Sequence, residues 1–309
     1  MHRTLSITVP ASATEALCQQ LSALEDIIGL SVHPGASRKP PGDVLTVHVL
    51  NRSTDEVLRR ARAAVPDPTA LSIVTSEAAS FIAPAEAQRI VKDKDEAIWE
   101  EMETGLRHQA RVTPNYAALM ALGGVLAAVG LVSEPVPQAI AFIASSIVSP
   151  GFEPLAKIPL GLVLRRWPLV WRGLGATVLG YALFILTAGL TMLWLLAAGA
   201  STATELATNP EIANIARPGL KEMLVSAGGA AAGVVILAAY RRSVIAGALI
   251  ALVPMPAAAL IGAGLAVGRA HLALEGVQRF SLDAALVVGA GLLVFSIKQR
   301  FVHRRRPLE

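Results

Sequence analysis

Six apolar stretches, about residues 115–132, 136–164, 173–199, 220–240, 243–268 and 281–297, limit this chain more than any other feature. Most approach the roughly 20 residues that a membrane-spanning helix needs. Hydrocarbon offers no partners to exposed backbone, so stretches of this kind must form helices. Hydrophobic residues make up 53% of the 309 positions and charged ones only 16%, a balance that excludes an ordinary soluble enzyme. The charges are unevenly placed. Residues 1–111 hold 15 of the 23 acidic and 12 of the 27 basic side chains, a net of −3, and the remainder nets +7. The pattern predicts a soluble head (1–83), an amphipathic linker helix (84–111), a six-span membrane domain (112–300) and a basic cytoplasmic tail (301–309).

The start, MHRTLSITVPASATEA, lacks a basic stretch followed by an apolar run and does not read as a secretory signal. With the head inside, the cytoplasmic face receives Arg107, Arg111, Arg165, Arg166, Arg172, Arg241, Arg242, Lys298, Arg300, Arg304, Arg305 and Arg306. The other face receives Arg217, Lys221, Arg269 and Arg279. That bias predicts a multi-pass protein of the plasma membrane, or bacterial inner membrane, with both termini cytoplasmic. Lipid is then an obligatory partner. The terminal KQRFVHRRR reads as a tail at an anionic membrane surface rather than a nucleic-acid arm.

In the head, Leu5, Ile7 and Val9 alternate as a strand, Leu17, Leu21 and Leu24 follow a helical period, and Ile28–Val32 and Leu45–Val49 give two more strands. The intervening PGASRKPPGD reads as a mobile hairpin loop. Ser53 and Glu56 form a capping-box pattern before a second helix, and residues 71–75 supply a fourth strand. The order strand, helix, strand, strand, helix, strand is that of a ferredoxin-like α+β unit. Cys18 is the only cysteine, and His33 and His48 have no third ligand nearby, so neither a disulfide nor a metal site is expected, and no cofactor. Trp99, in the linker, is either packed against protein or anchored at the lipid interface.

The second stretch contains SSIVSPGFEPLAK, an expensive set of residues to place in lipid. Pro150 removes a backbone donor and disfavours helix at Ser149, so this span is expected to break near the midplane. Laying residues 113–165 over 217–269, a shift of 104, superposes Pro114 on Pro218, Gly124 on Gly228, Pro150 on Pro254 and Arg165 on Arg269. Three spans separate the copies, so the second would lie upside down relative to the first, a 3+3 inverted repeat with a second proline-broken helix in ALIALVPMPAAAL. Two such breaks facing each other would make a polar site from Ser145, Ser146, Ser149, Pro150, Gly151, Glu153, Lys157, Pro254, Met255 and Pro256. Half-helix N-termini would supply donors for an anion and free carbonyls ligands for a cation. Glu153 and Lys157, spaced i, i+4, can pair on one face, either lining a cavity or holding the break. Gly229-x-x-x-Gly233 and Gly264-x-x-x-Gly268 read as packing faces, and Asp283, beside Ser281, as the N-cap of the last span.

On IVSPGFEPLAKIPLGL, ARPGLKEMLVSAGGAAAG and GALIALVPMPAAALIGAGLAVG the chain resembles the bacterial membrane proteins of the domain of unknown function 389 family. Where that family resembles SPLMGP, this chain has SPGFEP, so a site shared by the family would not depend on Glu153. The resemblance implies architecture and assigns no activity. The body has no His-Glu-x-x-His pair, no Gly-x-Ser-x-Gly elbow and one aspartate, so no enzyme is expected, a Ser145 or Ser146 hydrolase with Lys157 included. The expectation is a transporter or channel for a small solute or ion, an anionic one included, with a regulatory or dimerising head and a homo-dimeric assembly. The alternative is a membrane-anchored sensor or scaffold whose head carries the function.

Overall fold

A computed structural model describes residues 2–78, 82–93, 96–109, 111–239 and 254–302. The chain divides into a unit built on residues 2–99 and one built on residues 100–300. In the first, β1 (His2–Val9), α1 (Ala11–Ser22), β2 (Ile27–Arg38), β3 (Pro41–Val49), α2 (Thr54–Ala64) and β4 (Ser72–Ala78) form an antiparallel sheet of order β2-β3-β1-β4. Alternation of apolar residues decides which sheet face is buried. Leu5, Ile7 and Val9 of β1 and Leu45, Val47 and Val49 of β3 point the same way, with Leu5 opposite Val47 and Ile7 opposite Leu45. Leu17 and Leu21 of α1 and Val57, Leu58 and Ala61 of α2 close over them.

Three local expectations change. The segment expected to be a loop is mostly strand, because β2 runs to Arg38 and β3 starts at Pro41, leaving a turn at Lys39 and Pro40. Asp43 secures it by accepting from Thr14 Oγ1 at 2.7 Å and from the backbone N–H of Gly35 at 2.8 Å, where Gly35 takes a φ of 61°. The capping box at Ser53 does not form, because its hydroxyl is spent on Asp26 instead. Asp26 also accepts from Arg52 at 2.6 and 3.0 Å and from Arg89 at 3.0 Å, and the Arg52 guanidinium above all lowers its carboxyl to about 2. Finally, the linker is two short helices, α3 (Ala87–Val91) and α4 (Trp99–Gln109), rather than one. Between them Asp93 accepts from the backbone of Asn51 at 2.7 Å, and Ile98 joins the head core. Trp99 is fully buried, which favours packing over a lipid anchor.

The second unit is helical: α5 (Pro114–Leu131), α6 (Pro135–Val148), α7 (Phe152–Val163), α8 (Trp167–Ala197), the short α9 (Ala203–Thr208) and α10 (Pro210–Ala216), α11 (Leu220–Ala238), α12 (Pro254–Ala266) and α13 (Ala270–Ile297). Among the described residues, four of these helices are long and apolar enough to cross a membrane, or five if the bent pair α6 and α7 counts as one span. The remaining expected span falls partly on residues 243–253, outside the described residues. Its described part, α12, is too short to cross alone. Trp171 and Trp194, both exposed, lie about 35 Å apart along α8 at 1.5 Å per residue, close to the thickness of a hydrocarbon core.

Asp283 is not an N-cap. The last long helix begins at Ala270 and carries Asp283 midway along its length, fully buried. Leu272, Ala273 and Gly276 continue the buried stripe N-terminal to it, and Arg279 one turn earlier neutralises it across a 3.1 Å contact.

Two corners are built alike. After α7 the chain turns at Arg165, φ 54°, with the N–H of Arg166 on the carbonyl of Gly161 at 2.7 Å. After α12 it turns at Gly268, φ 70°, with the N–H of Arg269 on the carbonyl of Gly264 at 2.9 Å. The next residues, Arg166 (φ −102°, ψ 81°) and Arg269 (φ −100°, ψ 79°), open α8 and α13 in the same conformation. Here the offset between the corners is 103 residues rather than 104, pairing Arg166 with Arg269 and Gly173 with Gly276. A Cβ on Gly173 would meet the Pro154 carbonyl and Ile158, and one on Gly276 the Ala257 carbonyl and Ile261, four positions related by the same offset. Each short helix also crosses to the other long one: Pro159 of α7 packs on Gly291 of α13, and Gly262 of α12 on Ile185 and Gly189 of α8.

Candidate functional site

The α6–α7 pair is bent by 52° at Ser149–Gly151. Pro150 is the cause, because it has no N–H to give and holds Ser149 extended (φ −87°, ψ 120°). The last regular bond of α6 is Ser149 N–H to the Ser145 carbonyl at 2.9 Å, and Gly151 N–H returns to the Ser149 carbonyl at 2.8 Å. Pro154 removes another donor from the first turn of α7, and Glu153 places a carboxylate at that positive helix end.

Around the bend the residues are small. Gly151 makes close contacts, since a Cβ there would lie 2.3 Å from Met255 Cε and 2.7 Å from the Tyr181 hydroxyl, so both side-chain ends would have to move. The bend therefore touches the start of α12, where Pro254, Met255 and Pro256 are all buried, and the middle of α8. Prolines are tolerated in a first helical turn, whose N–H groups lack intrahelical partners. The half of that span preceding Pro254 lies outside the described residues. Tyr181 reaches the Gly151 carbonyl at 3.4 Å, and its ring meets Phe280 of α13 edge-on with centroids 4.6 Å apart.

The serines divide. Ser145 donates to the Gly123 carbonyl of α5 at 2.8 Å. Ser146 and Ser149 are 3% and 4% exposed, and their hydroxyls have no hydrogen-bond partner among the described residues. Ser149 Oγ occupies the space beside Gly123 that a Cβ there would need. An unmet buried hydroxyl costs about 1–3 kcal/mol, so two of them flanking an open helix end mark a place where polar chemistry is retained against stability.

Glu153 and Lys157 do not form an ion pair with each other among the described residues. Glu153 is half-buried and within electrostatic reach of Tyr116 and Tyr181. Lys157 is 3% exposed, with its stem against Gly173 of α8. Ser145, Ser146, Ser149, Pro150, Gly151 and Met255 are thus brought together, while Lys157 stands further along α7. Sequence reasoning missed Gly123, Tyr116 and Tyr181, whose roles come from close approach and leave no local pattern. It also missed Arg279 with Ser226 and Asp283. Their i, i+4 spacing was visible, but an assignment of that segment to a loop hid it. Among the described residues no group of three His, Cys, Asp or Glu side chains is arranged to hold a metal ion.

A small antiparallel α+β head joined to long apolar helices, one bent at a proline, defines a helical membrane protein. Residues 146–289 match the family model described as Domain of unknown function (DUF389). The match starts in the last turn of α6 and ends in α13, so it takes in both proline-bearing segments. No curated protein and no solved structure matches the chain significantly.

Proposed function

We propose that the protein moves a small solute or ion across the membrane, binding it at the bend between α6 and α7. The observation that carries this is the pair of buried, unpartnered hydroxyls of Ser146 and Ser149 at a helix break in an apolar bundle. Broken backbone at membrane depth is tolerated where protein buries it or a water-filled cavity meets it. Contact of Gly151 with Met255 supports a site shared by the two proline-bearing segments. The matched corners and the crossed packing of α7 and α12 support an inverted repeat of six spans. Basic residues concentrated on one set of loops support cytoplasmic termini in the plasma or inner membrane. The sheet order supports a ferredoxin-like head, which we assign a regulatory or dimerising role in a homo-dimer.

In liposomes containing the purified full-length protein, a panel of small ions and solutes should reveal a flux that falls at least tenfold in Ser146→Ala/Ser149→Ala. Those changes remove only two hydroxyls without partners, so stability should be unchanged or slightly raised. Absence of flux for every solute, with partner binding retained by the full chain, would favour a sensor or scaffold.

A further inference from the structure

Midway along α13 lies an ion pair that the bend does not account for. Arg279 Nε donates to Asp283 Oδ2 at 3.1 Å, and Arg279 Nη2 donates to Ser226 Oγ of α11. Asp283 is 0% exposed, Ser226 2% and the Arg279 side chain 9%. Two atoms are left over: Asp283 Oδ1, an acceptor, and Arg279 Nη1, a donor, are buried with no hydrogen-bond partner among the described residues. Asp283 is about 20 Å from either end of α13 at 1.5 Å per residue, inside a hydrocarbon core whose half-thickness is about 15 Å. Charges at that depth are costly and mark pathways or relays more often than scaffolding.

The surroundings leave the pair few rivals. On its own helix, Glu275 is one turn before Arg279 but is bonded to Arg217 at 2.7 Å. From α11 the group bonded to the pair is Ser226, Glu222 one turn before it turns its carboxylate back toward Gly219, and α12 carries no ionisable side chain. From α8, the Tyr181 ring lies against Phe280, the residue after Arg279, and its hydroxyl meets the Gly151 carbonyl of the bend. α7 carries Glu153, in the turn after the bend. Tyr181 thus joins the bend to the residue beside Arg279. In the other repeat the positions matching Arg279 and Asp283 are Ala176 and Gly180. There the space is filled by Tyr116, whose hydroxyl donates to the Ala176 carbonyl at 2.9 Å. The charged pair belongs to one half only.

Resting on the transport reading above, we propose that Arg279 and Asp283 form a second site that takes up one proton and one small monovalent anion together. A proton adds to Asp283 Oδ1 and converts the carboxylate to the neutral acid. The Arg279 guanidinium, losing its counter-charge, accepts the anion at Nη1. Net charge in the core is zero before and after, so the uptake is electroneutral. On release of both, the internal ion pair re-forms.

The test uses full-length protein in liposomes loaded with a pH-sensitive dye, with chloride, nitrate and dihydrogen phosphate added outside as probes and the membrane potential either clamped or left free. The proposal expects at least one probe to acidify the lumen at the same rate whether or not the potential is clamped. In Asp283→Asn the acidification should fall at least tenfold while anion-for-anion exchange persists. Asp283→Glu, which keeps the carboxylate, should restore coupling with a displaced pH profile. Arg279→Leu/Asp283→Leu, which leaves no lone charge, should fold and lose both fluxes. Solute flux in the wild type that is independent of pH, or coupling retained in the double leucine variant, would overturn this proposal and leave the transport reading intact. No flux of any solute in the wild type would overturn both.

Discussion

Asp283→Leu alone is expected to cost about 3–5 kcal/mol of stability, and adding Arg279→Leu should return most of it. The single change strips the counter-charge from a guanidinium whose side chain is 9% exposed and strands it beside Ser226. The double change swaps an ion pair for two aliphatic side chains on a helix whose buried residues include Leu272 and Val287. Denaturant-driven unfolding of the purified protein in detergent, run as a double-mutant cycle, measures the coupling. A cycle in which the two single losses simply add would mean that the two charges do not depend on each other. Recovery of stability without recovery of proton coupling is the combination that separates a functional pair from a structural one.

The second large effect is expected at Gly262. An added Cβ would sit 2.1 Å from the carbonyl oxygen of Ile185 and 2.9 Å from the N of Gly189, both backbone atoms of α8 that no rotamer change can move aside. Gly262→Ala should therefore force α12 and α8 apart and cost about 3 kcal/mol, the upper part of the usual overpacking range, and Gly262→Leu should not yield folded protein. Gly289→Ala, in α13 with open space around its Cβ, should do the opposite, gaining about 0.5–1 kcal/mol through helix propensity. Unfolding midpoints of the two alanine variants against wild type check the sign of each. Equal, small effects at both positions would contradict the close crossing of α12 over α8.

What was legible in the sequence follows from periods and prolines. Alternation gave β1 and β3 because one sheet face is fully buried, and Pro150 located the bend because its missing N–H acts on the backbone wherever it sits. The β2–β3 hairpin was misread because Gly and Pro usually mark loops, whereas here Asp43, the last residue of the segment, ties back Gly35 and accepts a bond from Thr14 of α1. The length of α13 was misread because Arg279 and Asp283 interrupt the apolar pattern, and their mutual neutralisation is a property of three-dimensional placement. The likeness of the two corners was visible, but at an offset of 104 where the structure relates them by 103. Alanine and valine coincidences carry little information there, while Gly161 and Gly264, which permit the tight turn, carry much. In the candidate site, the serines were legible as polar residues in an apolar run. The close approaches of Gly123, Met255 and Tyr181 that decide which serines stay unpartnered were not.

The account stands on whether water reaches the bend. With Cys18→Ser removing the only native thiol, single cysteines at Ser146, Ser149 and Ile147 can be challenged in sealed vesicles by a membrane-impermeant thiol reagent that requires the ionised thiolate. Ile147 is 52% exposed on the outside of α6, facing lipid if the bundle spans the membrane. The account predicts rapid modification at Ser146→Cys and Ser149→Cys, slowed by a transported solute, and none at Ile147→Cys. Unreactive thiols at both serine positions in folded protein would contradict it.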